Sequence, residues 1–268
     1  MILRPLVECL LSLAILPSFV AFAEDQVATR TEATPVVSLK VESVDSNLFN
    51  IGAVVFNKKE RTITVKANTR LRDQLVEYAL VHESGKVHES LFTTISAPAQ
   101  INLAFVFLGL GKQDFPGLPG HPVPIVPTNS VGISVTWETN GIITTRSLGE
   151  LITLGDHKES PATISSQAWQ YNGSFFDGSG FAAQRDGSIV SLIRDASALI
   201  NNIGSDLDND QVHHPKTKLL PPENWPVVVK FQLPVDPANE LPKPPLLEPA
   251  RIDKTNAIPL LQREPKSL

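Results

Sequence analysis

The chain has 268 residues, a net charge of −5 at pH 7, one Cys and one Met. A mildly acidic chain without a cluster of Lys and Arg lacks the positive surface that nucleic-acid-binding proteins need, so we expect no nucleic-acid partner.

The first 23 residues have the pattern of a secretory signal peptide. Arg4 precedes an apolar run from Leu10 to Phe22, and Ala21-Phe22-Ala23 has the small residues that signal peptidase requires. The run contains Pro17 and is shorter than the ~20 residues that a membrane-spanning helix needs. We therefore predict cleavage after Ala23, export from the cell, and no membrane span in the mature chain.

Cleavage there would remove Met1 and Cys9 and leave a mature chain without sulfur. Such a chain cannot form a disulfide, a cysteine-ligated zinc site or an iron–sulfur cluster, and we expect no cofactor. Residues 24–36 are polar and lack periodicity, which predicts a flexible lead-in. The region from residue 37 to residue 233 is then long enough for one domain.

The sequence of this region predicts mainly β-hairpins. The first pairs Ala53–Phe56 with Thr62–Val65 across a charged turn, and the second has its turn at Ser84-Gly85. A third surrounds Thr139-Asn140-Gly141, because Asn-Gly is the strongest short turn signal. A last strand lies in the segment 224–234.

Helical patterns are fewer. Ser96 is a plausible N-cap for a helix with Pro98 in its first turn and Gly109 after its end, and apolar residues on most of its sides indicate that it is buried. Short helices are predicted at Leu148–Ile152 and from Asp195 onward. The sum is an α+β fold: one domain of antiparallel hairpins packed on one buried helix plus one or two short helices.

Residues 234–268 form a proline-rich segment of mixed charge. Proline lacks the backbone donor of helices and central strands, so we expect an extended or disordered tail.

Several motifs resemble the YdjY-domain family of bacterial secreted proteins. The match extends over nearly all of residues 37–233, and its most distinctive part is His-Glu-Ser followed by the apolar helix. The family has no established activity. The resemblance therefore implies the domain boundaries and a periplasmic or extracellular place in a bacterium, and little about chemistry. The matching segments are Ile51-Gly52, 76–78, 85–91, 108–110, Trp137, 169–174, 186–191 and Pro221-Pro222.

The repeat VHESGKVHES, residues 81–90, raises the question of a metal site. A two-residue turn at Ser84-Gly85 would point His82 and His88 to opposite faces of the hairpin. A three-residue turn would put both on one face, where they could bind zinc or copper together with Glu89. The tight turn is favoured, and with it a structural role for the repeat.

The segment His88-Glu89-Ser90 is the strongest catalytic candidate. On a strand, His88 and Ser90 share a face while Glu89 points away, so His88 could activate Ser90. The chain nevertheless contains no Gly-x-Ser-x-Gly elbow, and a polar strand face is the favoured interpretation.

Two further groups are weaker candidates. The loop 206–214 has the Asp-x-Asp-x-Asp pattern of a calcium site but lacks the turn glycine and the final glutamate. Three aromatic residues could line a ligand groove or belong to the core. The metal candidates in the loop are Asp206, Asp208, Asp210, His213 and His214, and the aromatic candidates are Trp137, Trp169 and Tyr171.

None of these motifs contains a complete set of catalytic residues. We therefore expect an exported, non-catalytic binding or structural domain whose partner is an envelope protein or a small ligand. The alternative is a metal-dependent hydrolase or metal carrier that uses the region around His88 and Glu89.

Overall fold

The computed structural model describes residues 37–155 and 161–234. The predicted signal peptide, the lead-in and, except for Pro234, the proline-rich tail lie outside the described residues.

In this part of the chain the secondary structure is mostly β, with two short α-helices and four 3₁₀ turns. The strands are β1 (Val41–Ser43), β2 (Leu48–Ile51), β3 (Val54–Asn57), β4 (Thr62–Thr69), β5 (Tyr78–His82), β6 (Ser90–Thr94), β7 (Gly132–Thr139), β8 (Ile142–Ser147), β9 (Ile152–Leu154), β10 (Trp169–Tyr171), β11 (Phe176–Asp177), β12 (Gly180–Phe181), β13 (Ser188–Ser191), β14 (Ile200–Asn202), β15 (His213–Pro215) and β16 (Pro226–Gln232). The helices are α1 (Pro98–Phe107) and α2 (Ala182–Asp186), and the 3₁₀ turns are Val87–Glu89, Pro127–Asn129, Leu148–Leu151 and Thr217–Leu219.

The main sheet is built on β4 and β16, whose residues alternate between the core and the outer face. In β16, Val227, Val229 and Phe231 are buried while Val228 and Lys230 lie on the opposite face. This period of two is what a strand with one buried face requires. β16 pairs along its length with β4 on one side and with β7 on the other, and β8 follows β7.

The other edge of β4 is shared by two strands, and the sheet branches there. Residues 62–64 of β4 pair with β3, which continues to β2 and β1, while Asn68 and Thr69 pair with β6. Beyond β6 the order is β5, β13, β14 and β10. The pairs β5·β6 and β13·β14 are parallel, and the remaining pairs are antiparallel. The fold is thus α+β in a broad sense, with far more sheet than helix.

Helix α1 is only half buried, so the prediction of a largely buried helix is not confirmed. Ile101, Ala104 and Phe105 are buried, and the ring of Phe105 lies 4.8 Å from that of Tyr171. Val106 and Phe107 are exposed because the sheet covers one side of the helix only. The N-cap residue is Ala97 and its side chain makes no capping bond, so Ser96 is not the cap.

The first and third predicted hairpins are confirmed. β3 pairs with β4 in antiparallel register, and β7 and β8 are joined by Asn140-Gly141, whose φ angles of 53° and 76° are those of a tight I′ turn. The predicted helix from Asp195 is wrong. The Asp195 carboxylate accepts a hydrogen bond from the backbone N–H of Ser197, and the segment forms a loop.

Among the described residues, no helix is both long enough and apolar enough to cross a membrane.

Candidate functional site

The repeat at residues 81–90 is a crossover between two parallel strands, so the predicted hairpin is wrong here. Tyr78 of β5 lies opposite Ser90 of β6, and His82 lies opposite Thr94. The chain turns where Gly85 N–H donates to the carbonyl of His82, as a turn at Ser84-Gly85 predicts. The chain then runs back to the beginning of β5, so β6 starts there and lies parallel to β5. In this direction β6 is antiparallel to β4, with which it also pairs.

This crossover separates the reactive side chains of the repeat. His82 Nδ1 lies 2.7 Å from Ser84 Oγ, at the end of β5. His88 belongs to the 3₁₀ turn, its side chain is 74% exposed, and its Nε2 lies 3.2 Å from Glu89 Oε1. The predicted shared face of His88 and Ser90 is therefore wrong, since the buried Ser90 hydroxyl donates to the carbonyl of Lys86 instead.

Lys86, which was not among the candidate site residues, connects the crossover to Tyr78. Its Nζ donates to the hydroxyl oxygen of Tyr78 at 2.6 Å, and the Tyr78 hydroxyl donates to Asp195 Oδ2 at 3.1 Å. Burial and the nearby charge of Asp195 raise the pKa of Tyr78, so the phenol stays protonated and acts as a donor. The chain of contacts ties the crossover to the loop after β13.

The side chains of Glu77 and Glu89 lie next to each other and close to Lys86. Burial, and next the charge of Glu89, raise the pKa of Glu77, whereas Lys86 lowers it. Glu77 therefore holds its proton to a higher pH than an ordinary glutamate.

Within the described part of the chain, no group of three or more His, Cys, Asp or Glu side chains converges to hold a metal ion.

The acidic loop 206–214 does not gather its side chains at one point. Asp206 turns inward, where its Oδ2 lies 2.8 Å from Nε2 of the buried His213. Asp208 forms an ion pair with Arg194, and Asp210 is exposed. His214 is buried in β15. The loop thus contributes to packing and to separate ion pairs.

The protonation state of the Asp206–His213 pair follows from the environment. Burial opposes ionisation of Asp206, but hydrogen bonds from His213 and Asn202 outweigh it and hold the pKa of Asp206 below its ordinary value. An ionised carboxylate only accepts hydrogen bonds, so His213 Nε2 carries the hydrogen.

All three candidate aromatic residues belong to the core. Trp169 is fully buried, and Tyr171 is buried with its hydroxyl donating to Asn102 Oδ1 at 2.7 Å. Trp137 is 8% exposed and lies on the buried face of β7, but it also borders a surface groove together with Trp225. The indole Nε1 of Trp225 donates to the carbonyl of Glu138 and fixes this ring against β7.

The groove has a volume of about 660 Å³ and extends across five strands of the main sheet. Its floor is the outer face of the sheet, where Val228 of β16 lies between Lys66 of β4 and Thr136 of β7. Ile143 of β8 and Ile95, directly after β6, line the groove and are 70% and 66% exposed. We take this apolar groove as the candidate functional site.

Sequence reasoning identified only Trp137 among the groove residues. Val228 gave a local signal, since it is an apolar residue at an outward position of an alternating strand. Ile95 and Ile143 come from distant parts of the chain, and only the strand order brings them to the same face.

No protein-family model, curated protein or solved structure matches this chain. The resemblance to the YdjY-domain family therefore stays a prediction, and the function has to be argued from the geometry of the site.

Proposed function

We propose that this chain is an exported, non-catalytic binding domain of the bacterial cell envelope and that the groove binds an apolar segment of a partner polypeptide. The exposed side chains of Ile95, Ile143 and Val228 in the groove support this proposal. Several exposed apolar side chains that gather in one groove mark an interaction site, because exposing them to water costs free energy. Export is inferred from the pattern of residues 1–23.

The polar groups of the groove favour a polypeptide over an acyl chain. Lys66, Asn68, Thr94, Thr136 and Glu138 lie among the apolar residues. An acyl chain would exclude water from these groups and offer no hydrogen bonds in return, which is unfavourable. A polypeptide carries donors and acceptors along its backbone, and its side chains can pair with both a cation and an anion.

The edge of β8 offers additional backbone contacts beside the groove. Among the described residues, β8 pairs only with β7. Thr139 and Ile142 flank the two-residue turn and are hydrogen-bonded to each other through their backbones. Along β8, residues that bond to β7 alternate with residues that do not, so the backbone N–H and C=O groups of Ile143 and Thr145 point away from β7. An extended peptide could pair with these groups by β-augmentation while its side chains reach the groove.

The proposal is tested with peptides selected from a random phage-displayed library against the chain from residue 24 onward. Binding of each synthetic peptide is measured by fluorescence polarisation for the parent protein and for Ile143→Asp. A charge in place of this exposed apolar side chain should weaken binding at least about tenfold. Ile142→Asp is the matched control, because Ile142 is 68% exposed but does not line the groove.

Equal binding to the parent and to Ile143→Asp by every selected peptide would contradict the proposal. So would displacement of the peptides by palmitate, since the groove would then be a site for acyl chains.

The competing candidate, a metal-dependent hydrolase or metal carrier, rests on the contact between His88 and Glu89 next to Glu77. It is tested by mass spectrometry of protein purified without a His tag, beside His88→Ala. Stoichiometric metal that disappears in the variant would favour this candidate, whereas equal metal content in both proteins would dismiss it.

A further inference from the structure

A second cavity, of about 280 Å³, lies between the proline-rich loop 111–126 and the turn 172–175. It shares no lining residue with the groove. Its lining combines charged, amide and hydroxyl side chains with two aromatic rings, those of Phe115 and Phe175.

The central feature of this cavity is the side chain of Asn172. Asn172 is 1% exposed, lines the cavity, and its Nδ2 has no hydrogen-bond partner among the described residues. A buried amide donor without a partner costs ~1–3 kcal/mol, so its presence needs a reason.

The orientation of the Asn172 amide is fixed by its neighbours. Asn201 Oδ1 accepts a hydrogen bond from the backbone N–H of Asp195, so Asn201 Nδ2 must be the atom that faces Asn172. This Nδ2 donates to Asn172 Oδ1 at 3.1 Å. Rotating the Asn172 amide would bring two NH₂ groups together, so its Nδ2 is left as the unpartnered donor.

The walls of the cavity are held in place from several sides. Gly173 and Ser174 both have positive φ, 78° and 57°, which is uncommon for a serine. Ser174 Oγ accepts from the backbone N–H of Ala183, and the serine hydroxyl therefore keeps its own hydrogen for another acceptor. On the loop side, the N–H of Gln113 donates to the carbonyl of Asn172.

Buried side chains also anchor the rest of the loop, which has few backbone donors because of its prolines. Arg194 donates to the carbonyl of Pro116, and Gln170 bonds both the carbonyl of Pro124 and the N–H of Val126. The loop wall is thus preorganised, as binding sites require.

We propose that this cavity binds a neutral polyhydroxylated ring, that is, a sugar unit. Ring hydroxyls both donate and accept, so the hydroxyls of one ring can accept from Asn172 and Ser174 and donate to Asp114. Lys112 and Asp114 both line the cavity and carry opposite charges, so the lining has no net charge that would select an anion or a cation. An apolar ligand would leave the Asn172 donor unsatisfied, while Phe115 and Phe175 offer surfaces for the C–H groups of a ring.

The test is isothermal titration and saturation-transfer NMR with glucose and N-acetylglucosamine on the chain from residue 24 onward. We expect binding of at least one sugar. Asn172→Asp keeps the acceptor for Asn201 but removes the free donor, and it should weaken binding at least about tenfold. Asp114→Ala, at an exposed position, should also weaken binding, whereas the exposed Asp210→Ala is a control that should not.

The absence of binding for both sugars up to about 50 mM would overturn the proposal. Binding of acetate or phosphate that tightens in Asp114→Ala would overturn it as well, because the site would then select anions. If Asn172→Asp does not fold, the comparison of Asp114→Ala with Asp210→Ala decides: equal affinity in these two variants contradicts the assignment.

Discussion

At the scale of single residues, burial and neighbouring charge determine how the acidic groups of this protein titrate. Glu77 and Asp206 are both partly buried, but their pKa values move in opposite directions. Glu77 lies beside the like charge of Glu89, whereas Asp206 receives hydrogen bonds from His213 and Asn202. Hydrogen-bonded partners therefore decide which carboxyl is charged most easily.

The titration of Glu77 should respond oppositely to two substitutions. Glu89→Gln removes a like charge and should lower the pKa of Glu77, although Asp210 still raises it. Lys86→Met removes a cation and should raise the pKa further. Both shifts are measured by NMR titration of the glutamate side-chain carbons. Shifts of the same sign in the two variants would refute this account of the cluster.

Loss of Asp206 should destabilise the fold in a pH-dependent way. Asp206→Ala leaves His213 Nε2 and Asn202 Nδ2 buried without this acceptor, at a cost of about 2 kcal/mol at pH 7. Because the folded-state pKa of Asp206 is lowered, its stabilisation is present above its ordinary value of 3.8 and is lost as the pH falls through the folded-state value.

Urea unfolding of Asp206→Ala and of the parent protein at pH 7 and at pH 3 checks this dependence. The difference in unfolding free energy should shrink at the lower pH. A difference that stays constant between the two pH values would exclude ionisation of Asp206 as the cause.

At the scale of elements, the crossover between β5 and β6 depends on a close approach of two backbones. A Cβ on Gly85 would lie 2.9 Å from the carbonyl oxygen of Asp186 and 3.0 Å from the Cα of Gly187. Neither backbone atom can rotate away. The two glycines therefore let the crossover pack against the turn before β13, where Gly187 also accepts a hydrogen bond from the N–H of His82.

Gly85→Ala should lower the free energy of unfolding by about 1–3 kcal/mol because the added methyl group forces these backbones apart. Gly111→Ala is the control, since a Cβ there meets no atom within 4 Å. Thermal denaturation of both variants measures the effect. Equal melting temperatures for the two variants would contradict the close approach.

The secondary-structure elements differ in how far they can be predicted from the local sequence. The hairpin of β7 and β8 is encoded locally, because Asn140 and Gly141 accept the positive φ angles of its turn. The direction of β6 is not encoded locally, because it depends on pairing with β4, which lies about 25 residues earlier in the chain. The local pattern at Ser84-Gly85 predicted the turn but could not reveal where the following strand pairs. The helix predicted from Asp195 failed because side-chain bonds from Asp195 and Asn201 stabilise a loop.

At the scale of the whole molecule, the candidate sites result from strand order. Five strands contribute to the groove, and its exposed residues Ile95, Ile143 and Val228 come from three distant parts of the sequence. Sequence reasoning found Trp137 but missed Trp225, Ile95 and Ile143, because only the order β8, β7, β16, β4, β6 makes them neighbours. The histidines and acids of the two conspicuous motifs are close in sequence, but the fold leaves them in separate pairs, His88 with Glu89 and His213 with Asp206, and forms no common cluster among the described residues.

The most direct test of the central claim is to map a selected peptide onto the protein by amide NMR. The account predicts chemical-shift changes at 66–68, 136–143 and 225–228, with slowed exchange of the outward amides of Ile143 and Thr145. Changes confined to the crossover 83–89 or to the cavity around Asn172 would contradict the claim that the groove is the polypeptide-binding site.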